Sequence, residues 1–429
     1  MNTYKTRLAD VILQKKLASS GAVLIEGAKG CGKTTTASQV AKSILYMQNP
    51  ASKKQNLEMA EINPSFLLVG DAPRLIDEWQ VAPKLWDAVR FEVDERDKCG
   101  QFILTGSAIP ADTSEISHSG TGRISRMLMR PMSLFESGES NGCVSLSDLF
   151  SGNLKIAGVN TLDLAQIAFL ICRGGWPKAI TSSADVALQQ AINYIDAIIN
   201  FDISRVDGIK RDAEKTKRVL RAYARSIGTQ AKIPTITQAV YVNETYKKAE
   251  ITHKSITISS YISALKKIFV IEDSLAWNPN LRSKTAIRTS ATRYFTDPSI
   301  GTAALGLGAK DLLNDLQTMG LFFENLCIRD LRIYVDALDG QIYHYRDRNG
   351  WECDAVIQLR NGDFALVEIK LGGDKLIEEG AVTLNKLAAN IDTTKMKAPA
   401  FKMILTAVGN YAYQRNDGIL IVPIGCLKN

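Results

Sequence analysis

Along the first third of the chain, short apolar runs that fit β-strands alternate with stretches of helical periodicity. The predicted strands lie at 21–27, 65–70, 74–78, 101–107 and near 125–133. The predicted helices cover 1–16, 33–46 and 81–95. Strands that alternate with helices are typical of a doubly wound parallel sheet. We therefore predict an α/β domain over residues 1–140.

The pattern changes twice in the remainder of the chain. Residues 141–225 are helical, and strand signals vanish there. Residues 226–300 hold short helical patterns that end in an amphipathic helix at about 257–267, followed by the alternating run "IFVIEDSLAW". Helices followed by a hairpin predict a winged helix-turn-helix. Residues 301–429 return to mixed α/β, with a helix at 311–334 and strands at 341–346, 352–360 and 364–370.

The stretch "GAKGCGKT" (27–34) matches the Walker A pattern and lies between a predicted strand and a predicted helix. Its glycines allow backbone N–H groups to surround phosphates, and the following helix adds its dipole. Lys33 is expected to reach the β- and γ-phosphates, and the Thr34 hydroxyl to bind Mg²⁺. We predict that ATP is bound by Gly27, Ala28, Lys29, Gly30, Cys31, Gly32, Lys33, Thr34 and Thr35.

Hydrolysis needs one acid to hold the hydrated Mg²⁺ and a second to orient the attacking water. Asp71 follows the stronger apolar run, whereas Asp77 and Glu78 end the next one. Only the second position supplies both acids at the carboxyl end of a strand. We therefore favour Asp77 as the Mg²⁺ ligand and Glu78 as the catalytic acid, which leaves Asp71 as a turn residue after an adjacent strand.

Two further side chains are candidates for contact with the transferred phosphate. The run "ILTGS" (103–107) ends a strand in hydroxyl groups, from which Ser107 can sense the γ-phosphate. Arg123 precedes the strand near 125–133 and can reach a neighbouring subunit's nucleotide as an arginine finger if the protein is a homo-oligomer. A surface arginine is the alternative at this position.

The C-terminal part contains a second group of ionisable residues, with Asp354 on one predicted strand and Glu368 and Lys370 on the next. Glu324 lies in the helix that precedes them. This order resembles the PD-(D/E)XK nuclease fold, in which carboxylates gather Mg²⁺ beside a lysine. We expect Asp354 and Glu368 to hold that metal. Alternating acids and lysines on an exposed strand are the simpler explanation.

The hairpin between these strands decides which residues share a face. A two-residue loop at 361–362 would put Asp354 opposite residue 369, on the face away from Glu368 and Lys370. A three-residue loop at 361–363 would put Asp354 opposite Lys370. A nuclease-like site therefore predicts the longer loop.

Charge is distributed unevenly along the 429 residues, whose net charge is +7. Residues 205–293 carry 18 Lys and Arg against 7 Asp and Glu. A basic segment in an otherwise slightly acidic chain favours a polyanion such as DNA as partner, and a solvated surface is the alternative. The basic residues around the predicted recognition helix and wing are Lys254, Lys266, Lys267, Arg282, Lys284, Arg288 and Arg293, with Ser259, Ser260 and Ser263 as small polar neighbours.

Composition narrows the cellular setting. No apolar run reaches the roughly 18 residues that a membrane span requires, and the amino end lacks the apolar core of a signal sequence. The seven cysteines are scattered without a CxxC pair, which argues against a disulfide framework or a zinc site. We expect a cytoplasmic protein without a membrane partner.

Several segments together resemble the prokaryotic AAA-type ATPases that carry a C-terminal domain of unknown function. They are "GAKGCGKTTTA", "PRLIDEWQ", "GQFILTGSA", "GRISRMLMRPMSLFE", "GGWP", "RYFTDPSI" and "YHYRDRNGWECDAVI" with "ALVEIK". The resemblance implies an AAA-like core, Asp77 and Glu78 as the Walker B pair, and sensor 1 within 105–107. It also implies an arginine finger at Arg123 and a winged helix ahead of the C-terminal domain.

These observations predict a Mg²⁺-dependent ATPase whose nucleotide state controls DNA binding or processing by the winged-helix and nuclease-like C-terminal half. The expected domains are 1–140 (P-loop ATPase), 141–225 (helical lid), 226–300 (winged helix) and 301–429 (nuclease-like). The first alternative is a regulatory switch or scaffold that binds a protein partner, with an inactive nuclease-like domain. The second is a nuclease for which ATP only gates access. Arg126 and Arg130, like Arg123, have the alternative of pairing with acids in the ATPase core.

Overall fold

The computed structural model describes residues 4–108, 118–242, 248–278, 290–347 and 351–429, with the side chains of 248–250 excepted. The amino-terminal part is a five-stranded, fully parallel sheet in the order β2-β3-β4-β1-β5. Its strands are β1 (Ala22–Glu26), β2 (Ser43–Tyr46), β3 (Arg74–Asp77), β4 (Phe102–Gly106) and β5 (Ile124–Leu128). Its helices are α1 (Leu8–Ser19), α2 (Lys33–Ser38), α3 (Lys53–Ile62) and α4 (Lys84–Arg96). The predicted parallel-sheet domain is confirmed.

Two local predictions in this domain are wrong. Residues 65–70 do not form a strand, because Pro64–Leu68 is a 3-10 helix whose first turn is capped by the Asn63 side chain, a hydrogen-bond acceptor from the Ser65 N–H. Asp71 therefore does not follow a strand. The helix after the phosphate loop ends at Ser38 instead of continuing to residue 46, because Ser43–Tyr46 pairs with β3 as an edge strand.

The middle of the chain is mainly helical, as predicted. Its first seven helices are α5 (Leu134–Ser137), α6 (Leu146–Phe150), α7 (Leu164–Arg173), α8 (Pro177–Ile180), α9 (Ala184–Ala197), α10 (Ile203–Arg205) and α11 (Ala213–Ala224). One turn of π-helix, Ile198–Asp202, joins α9 to α10. Two short strands, β6 (Val144–Ser145) and β7 (Gly158–Val159), were not predicted, and both pair with strands of the C-terminal domain.

Two complete helices and two antiparallel bridges lie in the segment 226–300, which the sequence assigns to a winged helix. After α11 come α12 (Ile233–Val240) and α13 (Lys248–Lys267), which is longer than the predicted 257–267. The bridges join Ile271 to Phe295 and Ser274 to Thr292. Residues 279–289, which include Arg282, Lys284 and Arg288, lie outside the described residues.

The C-terminal domain has a seven-stranded mixed sheet in the order β7-β12-β13-β11-β10-β9-β8. Helices α14 (Pro298–Leu305), α15 (Ala309–Asn314) and α16 (Leu316–Asp336) precede it. The later elements are β8 (Gly340–Arg346), β9 (Glu352–Leu359), β10 (Phe364–Lys370), α17 (Asp374–Ala389), β11 (Lys402–Thr406), β12 (Tyr411–Gln414), β13 (Leu420–Pro423) and β14 (Leu427–Lys428). The helix predicted at 311–334 is interrupted at Asp315, whose side chain caps α16 by accepting from the Thr318 N–H.

The parts of the chain are fastened together by one continuous apolar cluster and by buried ion pairs. Asp297 Oδ2 accepts hydrogen bonds from the Gly175 N–H and from Arg329 Nη1, both at 2.9 Å. Asp330 accepts from the Leu134 N–H at 2.9 Å, and burial raises the pKa of its carboxyl to about 6. The segments "GGWP" and "RYFTDPSI" thus meet in the core, which gives them a structural role.

Arg130, just beyond β5, joins the ATPase domain to the C-terminal half. Its guanidinium donates to both carboxylate oxygens of Glu272, at 2.8 and 2.6 Å, and to Asp336 of α16 at 2.5 Å. The alternative that Arg130 pairs with acids of the ATPase core is wrong, because both of its partners come from the C-terminal half.

Candidate functional site

The phosphate loop follows the carboxyl end of β1 and curves around the ammonium of Lys33. Lys33 is 5% exposed, and its Nζ donates to the carbonyl oxygens of Gly27 at 2.8 Å and Ala28 at 2.9 Å. Gly32 has φ 107°, a left-handed conformation that L side chains rarely adopt. Among the described residues Lys33 has no carboxylate partner, and a buried cation of this kind favours an anionic ligand.

The other predicted loop residues divide into buried and exposed sets. Ala28 and Cys31 are buried, whereas Lys29, Gly30 and Thr35 are exposed. Because α2 has only six residues, anion binding depends mainly on the loop N–H groups and Lys33, and less on a helix dipole.

Asp77, at the carboxyl end of β3, receives two hydroxyl groups. Thr34 Oγ1 and Thr105 Oγ1 both donate to its Oδ1 at 2.6 Å. Mg²⁺ prefers oxygen ligands and usually takes one or two from protein, filling its other positions with phosphate oxygens and water. The Thr34 hydroxyl and the Asp77 carboxylate fit this requirement.

Glu78 follows Asp77 in a left-handed backbone conformation, φ 58° and ψ 46°. Its Oε2 accepts hydrogen bonds from Gln80 Nε2 at 2.6 Å and from Ser107 Oγ at 3.1 Å. The predicted catalytic acid and the predicted sensor residue are therefore in direct contact. Gln80 was not predicted, because a contact across one 3-10 turn leaves no sequence pattern.

A cavity of about 250 Å³ opens beside these groups and is closed on its far side by the helical region. Lys29, Glu78 and Ser107 line it from the ATPase domain, and Asp202 and Arg205 line it from the π-turn and α10. Lys29 Nζ lies 2.6 Å from Asp202 Oδ1. The helical region thus covers the phosphate loop, as a lid would.

Arg7 is a further residue that the sequence did not indicate. It is 4% exposed and donates to the Cys31 carbonyl of the phosphate loop at 3.0 Å and to the Arg130 carbonyl at 2.9 Å. Its Nε also pairs with Glu136 at 3.0 Å. The side chain therefore ties the loop to the segment that follows β5.

Asp71 and Arg123 lie away from this site. Both precede their strands, β3 and β5, and so lie at the sheet edge opposite the phosphate loop. Arg123 Nε pairs with Asp94 of the same chain at 2.8 Å. A role for Arg123 as an arginine finger would require the nucleotide of another subunit, and it stays a prediction.

The second group of residues is brought together on one face of the C-terminal sheet. Lys370 Nζ lies 2.6 Å from Glu368 Oε2 and 3.6 Å from Asp354 Oδ2, and the Ile369 N–H donates to Asp354 at 2.8 Å. Glu324 of α16 accepts a hydrogen bond from the Tyr294 hydroxyl.

The predicted hairpin register is wrong in detail. Val367 pairs with Ala355, which sets Asp354 level with Glu368 instead of Lys370. The loop consists of 360–362, because Gly362 takes a left-handed φ of 86° and the Leu359 N–H bonds to the Asp363 carbonyl. The three acidic and basic side chains still share one face, since the side-chain period of a strand is two.

Burial and mutual repulsion shift the protonation of this cluster. Burial, with the nearby Asp354 charge, raises the pKa of Glu368 to about 8 and that of Glu324 well above its usual range. The two carboxylates next to Lys370 raise the pKa of its ammonium despite burial. Within the described ranges, no three or more His, Cys, Asp or Glu residues are grouped so as to hold a metal ion. The Lys370 ammonium is the cation that lies between Asp354 and Glu368.

Three of the basic residues that the sequence assigns to DNA contact have partners within the chain. Lys266 and Arg293 each lie 2.6 Å from Asp273, and Lys254 lies 4.3 Å from the centre of the Tyr241 ring. Ser259 and Ser263 are exposed on α13, and Ser260 accepts a bond from Arg211 at 3.3 Å.

The structure describes no helix that combines the length and apolar character needed to cross a membrane. Its seven cysteines are free thiols.

Three domain families match successive parts of the chain. An AAA domain matches residues 19–137, a domain of unknown function (DUF8612) matches 164–311, and another (DUF4143) matches 319–427. Uncharacterized proteins of Mycobacterium tuberculosis and Mycobacterium bovis are each 23% identical over 418 residues, covering 96% of this chain and 82% of theirs. A Walker-type ATPase of Pyrococcus abyssi is 13% identical, with a TM-score of 0.42 over 70% of this chain and 96% of that one.

The AAA match agrees with the parallel sheet and the phosphate loop. The amino-terminal domain is therefore a P-loop ATPase domain of the AAA type. The match of the C-terminal domain to a family of unknown function leaves its resemblance to nucleases as a prediction.

Proposed function

We propose that this protein is a Mg²⁺-dependent ATPase whose nucleotide state controls DNA binding or processing by its C-terminal half. The observation that carries the ATPase proposal is the convergence of Lys33, Thr34, Asp77 and Glu78 at one edge of the sheet. Lys33 supplies a cation for the phosphates, and Thr34 and Asp77 supply oxygen ligands suited to Mg²⁺. Glu78 adds a second carboxylate beside them.

In this proposal the loop N–H groups and Lys33 bind the phosphates of ATP. Thr34 and Asp77 would hold Mg²⁺, which would supply positive charge against that of the phosphates. Glu78 accepts a proton from the attacking water, and Ser107 keeps its carboxylate oriented. Closure of the lid at Asp202 and Arg205 keeps bulk water out of the cavity.

Control of the C-terminal half by nucleotide is supported by a continuous set of polar contacts. Arg7 contacts the phosphate loop at Cys31 and the chain at Arg130, whose guanidinium pairs with Glu272 and Asp336. Glu272 lies within the bridged segment after α13, between Ile271 and Ser274, and Asp336 ends α16, the helix that carries Glu324. A movement of the phosphate loop on ATP binding would therefore be transmitted to both Glu272 and Asp336.

DNA as the partner is supported by the basic segment 205–293, and nuclease-like chemistry by the shared face of Asp354, Glu368 and Lys370. Binding that depends on phosphate neutralisation should weaken steeply as salt rises. The alternative, a switch that binds a protein partner, is favoured by two observations. Lys370 pairs with both Glu368 and Asp354, so the lysine itself offsets their charge, and Lys266 and Arg293 are paired with Asp273.

Two experiments test these proposals. Steady-state ATP turnover with Mg²⁺ is compared between wild type, Glu78→Gln and Lys33→Ala; unchanged turnover in Glu78→Gln would refute its assignment as catalytic acid.

Cleavage of plasmid and linear DNA with Mg²⁺ or Mn²⁺ is compared between wild type and Asp354→Ala, with and without ATP. Cleavage lost in Asp354→Ala supports a nuclease, and DNA binding without cleavage supports an ATP-driven switch.

A further inference from the structure

The side-chain amide of Gln80 donates a hydrogen bond to the carboxylate of Glu78, the proposed catalytic acid. The left-handed backbone of Glu78 leads into the 3-10 turn Trp79–Val81, which brings Gln80 back over the Glu78 carboxylate. Gln80 Nε2 donates to Glu78 Oε2 at 2.6 Å, and Ser107 donates to the same oxygen at 3.1 Å. Both donors therefore occupy Oε2, and Oε1 of Glu78 has no hydrogen bond to any described residue.

The other end of the amide is a buried acceptor without a donor. Gln80 Oε1 is buried and has no hydrogen-bond partner among the described residues, and Gln80 lines the same cavity as Glu78, Ser107 and Lys29. Chemistry fixes the orientation of the amide, because its oxygen facing a carboxylate oxygen would repel it, whereas its NH₂ group donates. A buried, unpaired carbonyl costs free energy unless a ligand or water supplies a donor.

We propose that Gln80 is a second catalytic residue that positions the attacking water, a role that rests on the proposed ATPase activity. A water molecule aligned for attack points a lone pair at the γ-phosphorus and has two hydrogens to place. Glu78 Oε1 accepts one hydrogen and Gln80 Oε1 accepts the other. The Gln80 NH₂ group meanwhile holds Glu78 through Oε2, so a single amide orients both the base and the nucleophile.

The step balances without any proton exchange at Gln80. The water oxygen forms a bond to the γ-phosphorus as the bond from that phosphorus to the β,γ-bridging oxygen breaks. One water proton passes to Glu78, and the products are ADP and inorganic phosphate. Gln80 only accepts a hydrogen bond, which strengthens as the attacking oxygen donates its lone pair to phosphorus and its remaining O–H bond becomes more polar.

The test uses Gln80→Ala and Gln80→Leu in the full chain, with Gln101→Ala as control. Gln80→Leu keeps most of the side-chain volume and loses both hydrogen bonds. The amide of Gln101 likewise donates a hydrogen bond, to the Cys99 carbonyl, but Gln101 precedes β4 at the opposite edge of the sheet. Loss of one positioned group at the transition state is expected to lower kcat by on the order of 10²-fold, with KM nearly unchanged. Gln101→Ala should turn over like wild type.

Two nucleotide analogues separate water positioning from a purely structural role. ADP with beryllium fluoride resembles the bound substrate, whereas ADP with aluminium fluoride resembles the transition state and includes the aligned water. Both Gln80 variants should bind the first like wild type and the second at least tenfold more weakly. Equal weakening of both analogues, or unchanged kcat in Gln80→Leu while Glu78→Gln is inactive, would overturn the role of Gln80 and leave the ATPase proposal standing. A wild-type protein without ATP turnover would overturn both.

Discussion

Replacing Arg130 by methionine should remove the ion pairs that join the ATPase domain to the C-terminal half and so destabilise the protein. Arg130 is 8% exposed and is the only cation that Asp336 pairs with among the described residues, while Glu272 would keep Arg332 at 3.7 Å. Removing one partner of a buried ion pair costs about 3–5 kcal/mol, and the remaining Arg332 contact argues for the lower end. We therefore expect a loss of about 3 kcal/mol in the free energy of unfolding.

The pKa of Glu272 sets an upper limit on what Arg130 contributes through this carboxylate, because Arg332 lowers the same pKa. Burial opposes its ionisation, but Arg130 and Arg332 lower the pKa from 4.5 to about 2. A shift of this size corresponds to about 3 kcal/mol. Because the folded-state pKa is the lower one, this stabilisation is present above pH 4.5 and is lost as the pH falls towards 2. In Arg130→Met, unfolding should depend less on pH within that window.

The assay is urea unfolding followed by tryptophan fluorescence, with the midpoint and slope compared at neutral pH and at pH values between about 5 and 3. The matched control is Arg126→Met, four residues earlier, whose guanidinium is 57% exposed and lies 3.4 Å from Glu26. An exposed pair of this kind is worth at most about 1 kcal/mol. If Arg130→Met unfolds at the same urea concentration as Arg126→Met, the ion pairs of Arg130 with Glu272 and Asp336 do not stabilise the contact between the two halves.

Two further predictions concern the lid and the C-terminal cluster. Asp202→Ala frees Lys29, whose ion pair is 51% exposed on the lysine side, so ATP should bind up to about fivefold more tightly by calorimetry. The control is Asp196→Ala, which removes an exposed acid on α9. Weaker ATP binding by Asp202→Ala would show that the Lys29–Asp202 pair does not hold Lys29 away from ATP. Tyr294→Phe removes the donor to the partly buried Glu324 and should cost about 1–3 kcal/mol of stability without changing ATP turnover; a urea midpoint equal to that of wild type would contradict this.

The sequence predicted those parts of the site that depend on neighbours in the chain or on a regular period. Asp77 and Glu78 end a parallel strand, and the phosphate loop follows another, so both had to lie at the same edge of the sheet. Asp354 and Glu368 share a face because side chains along a strand alternate with period two. The predicted loop at 361–363 is one residue too late, since Gly362 takes a left-handed φ and the loop spans 360–362.

Contacts between distant segments left no such pattern. Lys29 meets Asp202 only because a π-turn reshapes the end of α9, and Arg130 meets Glu272 across 142 positions of sequence. The apolar run at 65–70 is compatible with either a strand or a 3-10 helix. Pro64 and the Asn63 cap favour the 3-10 helix, so the predicted strand does not form. These contacts and this turn depend on tertiary packing and local capping, which the periodicity of apolar residues does not reveal.

The central claim, that nucleotide state controls the C-terminal half, is tested most directly by the DNA affinity of Glu78→Gln protein with and without ATP and Mg²⁺. The variant is expected to bind ATP without hydrolysing it, and Lys33→Ala serves as the control that should not respond to ATP. We predict that ATP changes the DNA dissociation constant of Glu78→Gln by at least about tenfold, which corresponds to about 1.4 kcal/mol of coupling. Equal affinity in both states, or no DNA binding in either, would contradict the claim and favour a protein partner.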